Sequence, residues 1–181
     1  MVDIFDAQGS IATKHFSIGQ LNTYMRCPMQ WKFRYIDGLI KPPNFNLVVG
    51  GAVHKGIEKN YVQKITSKQD CPLEEVREAY NDEFEKRKTE IEDKEEKQKE
   101  GEVKDKGYQL VDLYHRALAP QVQPEAVEKE FYIDISKTEV IDPKTNKSTI
   151  IDIPWKFKGY IDLIDDGKIL VDNKTSGRKY Q

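Results

Sequence analysis

The stretch GYIDLIDDGKILVDNKT, residues 159–175, holds two runs rich in β-branched and aliphatic residues on either side of Asp165-Asp166-Gly167. Such runs favour extended chain, and an Asp-Gly pair between them marks a reversal. The spacing therefore predicts an antiparallel hairpin, with Asp162 in the first strand and the second running from Lys168 to Lys174. Alternate residues of a strand leave on one face, which puts Asp172 beside Lys174, and Asp162 reaches that face from the neighbouring strand. Tyr160, Ile161, Leu163 and Ile164 flank Asp162, while Ile169, Leu170 and Val171 precede Asp172, so both strands are expected to be largely buried. Acids and a lysine are costly in such surroundings unless something compensates them. Two converging carboxylates form a hard oxygen site for Mg²⁺ or Mn²⁺, and an ammonium beside it can orient a nucleophile or stabilise pentacovalent phosphorus. The bland alternative is a strand-end ion pair of Lys174 with either aspartate.

Upstream, AVEKEFYIDI (126–135) and STIIDIPWKFKGYIDLI (148–164) also read as strands, with a turn signal at DPKTN (142–146). Glu128 and Glu130, in the strand entering the sheet, either touch the metal site from outside or, as the favoured reading, alternate with Val127 and Phe131 and face solvent.

Before residue 120 the periodicity is helical. Ser17 precedes Ile18, Leu21, Tyr24 and Met25 at three- and four-residue steps, the pattern of a capped amphipathic helix. Cys27-Pro28 starts a second helix through Trp31, Phe33, Tyr35 and Ile36, running out at Gly38, and KPPN (41–44) is a loop. Gly50-Gly51-Ala52-Val53-His54 opens a third helix, to about Gln63, whose glycines allow close approach of backbone or ligand. A fourth starts at Pro72 with Leu73, Val76, Tyr80 and Phe84 inward, and passes into the charged run 85–107, expected to be solvated helix. Val103, Leu110, Val111, Tyr114 and Leu118 mark one more, ending before Pro120.

With 181 residues the chain suits a single domain, 16–120 mainly helical and 121–181 mainly sheet. Its 38% hydrophobic and 33% charged composition excludes wholesale disorder. No apolar run reaches membrane-span length and MVDIFDAQGS lacks a secretory pattern, so a cytoplasmic protein is expected. The net charge of −2 argues mildly against a nucleic-acid partner. The average hides segregation, however: Arg26, Lys32, Arg34 and Lys41, with Lys14 upstream, stand against one acid, Asp37. Tyr24, Trp31, Phe33 and Tyr35 interleave with these bases, an arrangement able to stack bases and bind phosphates, or equally a helix core with snorkelling bases.

Three blocks together resemble the RecB-like branch of the PD-(D/E)xK nucleases, which includes CRISPR-adaptation and helicase-linked exonucleases. They are SIGQLNTYMRCPMQWKFRYIDGL (17–39), GGAVHKGIE (50–58) with its glycine-x-x-histidine, and GYIDLIDDGKILVDNKT (159–175) with its D-x-K-threonine. The resemblance implies a restriction-endonuclease-like α/β (α+β) fold, a mixed β-sheet core with a helical N-terminal part. It implies His54, Asp162, Asp172 and the main-chain carbonyl of Asn173 as ligands of Mg²⁺ or Mn²⁺, and Lys174 as the catalytic lysine. DNA is the implied partner, through Tyr24, Arg26, Trp31, Lys32 and Arg34. A helicase, a recombination or CRISPR-adaptation protein, or a missing C-terminal half is the implied protein partner. The family continues past D-x-K-threonine into a helix and a strand that Gln181 comes too early to include, with Tyr180 and Gln181 in the wrong order to replace them. A chain lacking its last core helix and strand is thus expected, and with it two readings: a DNA exonuclease, or an inactive module that binds DNA or a partner. Some relatives carry an iron–sulfur cluster on four cysteines, whereas this chain has only Cys27 and Cys71, so none is expected.

Overall fold

The computed structural model describes residues 15–93, 97–153 and 155–175. Lys14, Tyr180 and Gln181 lie outside the described residues. The chain divides into two compact units, one from Met1–Lys41 and Glu130–Tyr160, the other from Pro42–Lys129 and Ile161–Gln181. Each combines helix with strand, whereas composition suggests a division at residue 120.

In the first unit, β1 (His15–Ser17) leads into α1 (Ile18–Arg26) and α2 (Pro28–Tyr35). The Ser17 side chain accepts the Gln20 N–H at 3.2 Å, the cap expected of it, and Pro28 occupies the first turn of α2, where its missing N–H costs nothing. Gly38 takes a φ of 70°, ending the segment as expected. β1 pairs in parallel with the start of β5 (Lys156–Asp165), Phe16 opposite Phe157. The predicted strand 148–164 is two strands: β4 (Ser148–Asp152) turns back antiparallel on β3 (Lys137–Ile141) around the DPKTN turn, and β5 starts afresh. On the face shared by β5 and β2 (Pro124–Asp134), Lys158 lies 5.4 Å from the Tyr132 ring and 5.0 Å from the Tyr160 ring, and pairs with Glu130 at 2.7 Å. The sheet order is β1-β5-β2, with β6 (Leu170–Val171) also on β5, a mixed sheet.

The second unit is built on α3 (Phe45–Ser67), α4 (Leu73–Lys88) and α5 (Glu100–Ala117). α3 starts earlier than the glycine pair suggests. Asn44 accepts the Leu47 N–H at 3.1 Å, and Phe45, Val48 and Val49 are buried, so Gly50 and Gly51 lie inside the helix. Each interior glycine costs about 1 kcal/mol of propensity, which packing of the preceding turn overrides. Val76, Tyr80 and Phe84 of α4 face inward as predicted. The charged run is not wholly solvated helix: α4 ends at Lys88, and Ile91 is 1% exposed within the core. From α5, Val111 and Tyr114 enter the core, while Leu110 and, just past the helix, Leu118 remain exposed. α5 approaches α4 closely at Gly107, where any Cβ would strike the buried Tyr80 ring.

A buried polar cluster ties α3 to its surroundings. Asn60 donates to Asp70 and to the Tyr114 hydroxyl, both at 2.8 Å, and accepts the Cys71 N–H at 2.7 Å. Lys64, 5% exposed, donates to both Asp70 oxygens at 3.0 Å and to the Ala119 carbonyl at 2.6 Å. With its partners supplied, this buried charge is tolerable. Cys71 has a role of its own, donating its thiol to Gln63 at 2.7 Å, and burial pushes that thiol up.

Candidate metal centre

The hairpin that carries the acids forms locally. β5 and β6 pair antiparallel, Leu163 opposite Val171 and Ile164 opposite Leu170. The turn is pinned by Asp165, whose carboxylate accepts the Gln123 N–H at 2.7 Å, and the left-handed residue in it is Lys168, with φ 62°, rather than Gly167. β6 is shorter than the predicted 168–174, so Asp172, Asn173 and Lys174 follow it outside the strand, without ladder pairing. The expectation of largely buried strands is also corrected. Leu163 is 0% exposed, but Tyr160, Ile169 and Leu170 are more than half exposed, because this part of the hairpin has an uncovered face.

His54 projects from α3 toward Asp162 on β5, its Nε2 3.1 Å from Asp162 Oδ2 and 3.5 Å from Glu128 Oε1. The Asn173 main-chain N–H donates to the same Asp162 Oδ2 at 2.9 Å. Burial pushes the Asp162 carboxyl up, but the Asn173 N–H, His54 and Asp172 outweigh it and hold the group below the usual carboxylate range. Asp172 and Lys174 pair at 2.6 Å, both more than half exposed. That is the strand-end ion pair foreseen as the bland alternative, and it lies on the chain next to Asn173.

Glu128 is the residue that sequence reasoning turned outward. Its φ is 48°, a left-handed backbone that breaks the alternation of β2 and brings its side chain to His54 and Asp162 rather than to solvent. Three ligand atoms, one each from His54, Glu128 and Asp162, all lie within 4.8 Å of one another. Glu128 Oε1 is buried and accepts no hydrogen bond among the described residues. Burial raises the Glu128 carboxyl, and the charges of Asp162 and Glu58 raise it further against His54 and Lys55. An orphaned buried oxygen beside a second carboxylate and an imidazole fits a divalent cation, which would satisfy all three donors at once.

A cleft of about 410 Å³ opens beside this group, lined by His54, Asp172, Asn173, Lys174 and Thr175 on one side and by Leu110, Leu113 and Leu118 on the other. The glycines of α3 do allow close approach: a Cβ at Gly50 would sit 3.0 Å from the Thr175 hydroxyl, and one at Gly51 would collide with the Arg87 guanidinium. In the first unit, Tyr24 and Trp31 pack edge to face at 5.7 Å and line an apolar cavity of about 360 Å³ with Trp155 and Phe157. Lys32 is engaged with Asp37 at 2.7 Å, and Arg34 lies 5.7 Å from the Tyr35 ring. Arg26 stands in the last turn of α1.

Residues 15–181 match the family model of the PD-(D/E)XK nuclease superfamily. No curated protein and no solved structure matches the chain. Among the described residues no helix is long and apolar enough to cross a membrane.

Proposed function

The chain belongs to the PD-(D/E)XK nuclease superfamily, a fold of metal-dependent nucleases, and from that premise we propose that it is a DNA exonuclease of the RecB-like branch. The observation that carries this reading is the convergence of His54, Glu128 and Asp162 around an unsatisfied buried oxygen, next to the Asp172–Lys174 pair. His54, Asp162 and Glu128 would hold Mn²⁺ or Mg²⁺, with Asp172 and the Asn173 carbonyl completing the set. Imidazole beside carboxylates leans toward Mn²⁺. Such a cation would supply charge that polarises the phosphodiester and lowers the pKa of an attacking water.

The chain's own residues do the rest. The Asn173 N–H holds the Asp162 carboxylate in one orientation and in its charged form. Lys174 places an ammonium where charge grows on phosphorus. Tyr24, Arg26, Trp31, Lys32 and Arg34 bind the strand, with the aromatic rings stacking bases. The enzyme acts in the cytoplasm, in recombination, repair, phage replication or CRISPR adaptation, alongside a helicase or another protein of those pathways.

Linear and circular DNA, single- and double-stranded, incubated with Mn²⁺, Mg²⁺ or chelator test the reading. Loss of linear but not circular substrate, dependent on metal and absent in Asp172→Ala and Lys174→Ala, is expected. Binding of DNA without metal-dependent degradation would replace the enzyme by a binding module of the same fold.

A further inference from the structure

A second cavity, about 350 Å³, also lined by His54, lies between α3 and the basic end of α4. Its walls carry Lys55, Lys86 and Arg87 against Glu58 and Glu83. Lys55 spends its charge on Glu58 at 2.8 Å. Arg87 is held differently: its Nε donates to Glu83, and its guanidinium lies over Gly51, in space a side chain would fill. Among the described residues the two terminal nitrogens of Arg87 make no hydrogen bond, and Lys86, largely exposed, lies 3.9 Å from Glu83 Oε2. A guanidinium fixed through Nε, with Nη1 against Gly51 and the side chain 43% exposed where it lines an open cavity, is a partly preorganised seat for a phosphate.

We propose that Arg87, seated on Gly51 and steadied by Glu83, binds a backbone phosphate of the DNA strand adjoining the one at His54, with Lys86 as a second, looser contact. This rests on the nuclease reading for the identity of the ligand. It assigns α4 a direct role in holding substrate that neither the hairpin nor the aromatic-basic helices supply. His54 lines both cavities, so the second opens next to a residue of the metal centre.

Short single-stranded oligonucleotides, bound with Ca²⁺ as the divalent ion, provide the test. Arg87→Gln is expected to weaken binding about tenfold and to flatten the logarithmic salt dependence by roughly 0.7, the signature of one lost phosphate contact on a single strand. Gly51→Ala should push the guanidinium out and weaken binding likewise, while its thermal unfolding stays at or above that of the wild type. A neutral methylphosphonate walked along the strand should reveal one linkage to which the wild type is sensitive and Arg87→Gln is not. Variants that bind with unchanged affinity and salt slope overturn the phosphate seat, whatever the wild type does in Mn²⁺. Arg87-dependent binding by a wild type that degrades nothing in Mn²⁺ or Mg²⁺ leaves the seat standing and removes the nuclease reading instead.

Discussion

Asn173 donates its main-chain N–H to the carboxylate of Asp162 at 2.9 Å, joining the chain that follows one strand of the hairpin to the acid carried by the other. The bond comes from backbone, so it survives any side chain at 173 that leaves the backbone in place. Asn173→Ala should therefore retain metal binding, whereas Asp162→Asn should lose the several kcal/mol that a metal contributes, about 10³-fold in cleavage rate. Calorimetric titration with Mn²⁺ beside the cleavage assay checks both.

Glu128→Gln keeps size and removes charge. If the proposed cation-holding group is right, the change should weaken Mn²⁺ affinity about 10- to 100-fold, with far-ultraviolet circular dichroism unchanged. Equal Mn²⁺ affinity in the variant would remove Glu128 from the cation's ligands.

Gly107→Ala should destabilise the protein by about 1–3 kcal/mol, although alanine is the better helix former, because the new Cβ strikes the fully buried Tyr80 ring. A urea or thermal denaturation series decides the sign.

Lys64→Met leaves the Ala119 carbonyl without its buried donor and Asp70 with only the Asn60 amide. A loss on the order of 3 kcal/mol is expected, from equilibrium denaturation. A neutral outcome would mean that water replaces the ammonium.

Glu130 accepts from Lys158 and from the Tyr132 and Tyr160 hydroxyls, which hold its carboxyl down at about 2. A carboxylate depressed in the folded state stabilises above its ordinary pKa of about 4.3, and that contribution fades as pH falls toward 2. Against Glu130→Gln, the wild type should keep its advantage above about pH 4.5 and lose it progressively below. The group is exposed, so the advantage is small; an NMR titration of Glu130 gives the midpoint directly.

Local features were the legible ones. Asp162, Asp172 and Lys174 fall close together because a turn of a few residues connects them, and the Ser17 cap and the inward face of α4 follow from spacing alone. Strand length was less legible: β6 stops at Val171, where the β-favouring run gives way to Asp172, Asn173 and Lys174, although β5 continues opposite them. The start of α3 was obscured by glycines whose cost is met by packing. Glu128 could not be placed from alternation, because a single left-handed backbone angle reverses which way a strand residue faces. Arg87 was hidden in a charged run, and only its tertiary seat over Gly51 separates it from its neighbours.

The left-handed backbone at Glu128 also restricts what mutation can do there. Glycine, asparagine and aspartate accept that angle most readily, while valine, isoleucine and threonine strain it. Substitutions that spare the backbone therefore shorten or delete the carboxylate, and bulky branched ones disturb the strand as well. Chemistry at this position can thus be erased quietly by a change to glycine, but it cannot be exchanged for a branched apolar side chain without a cost in folding.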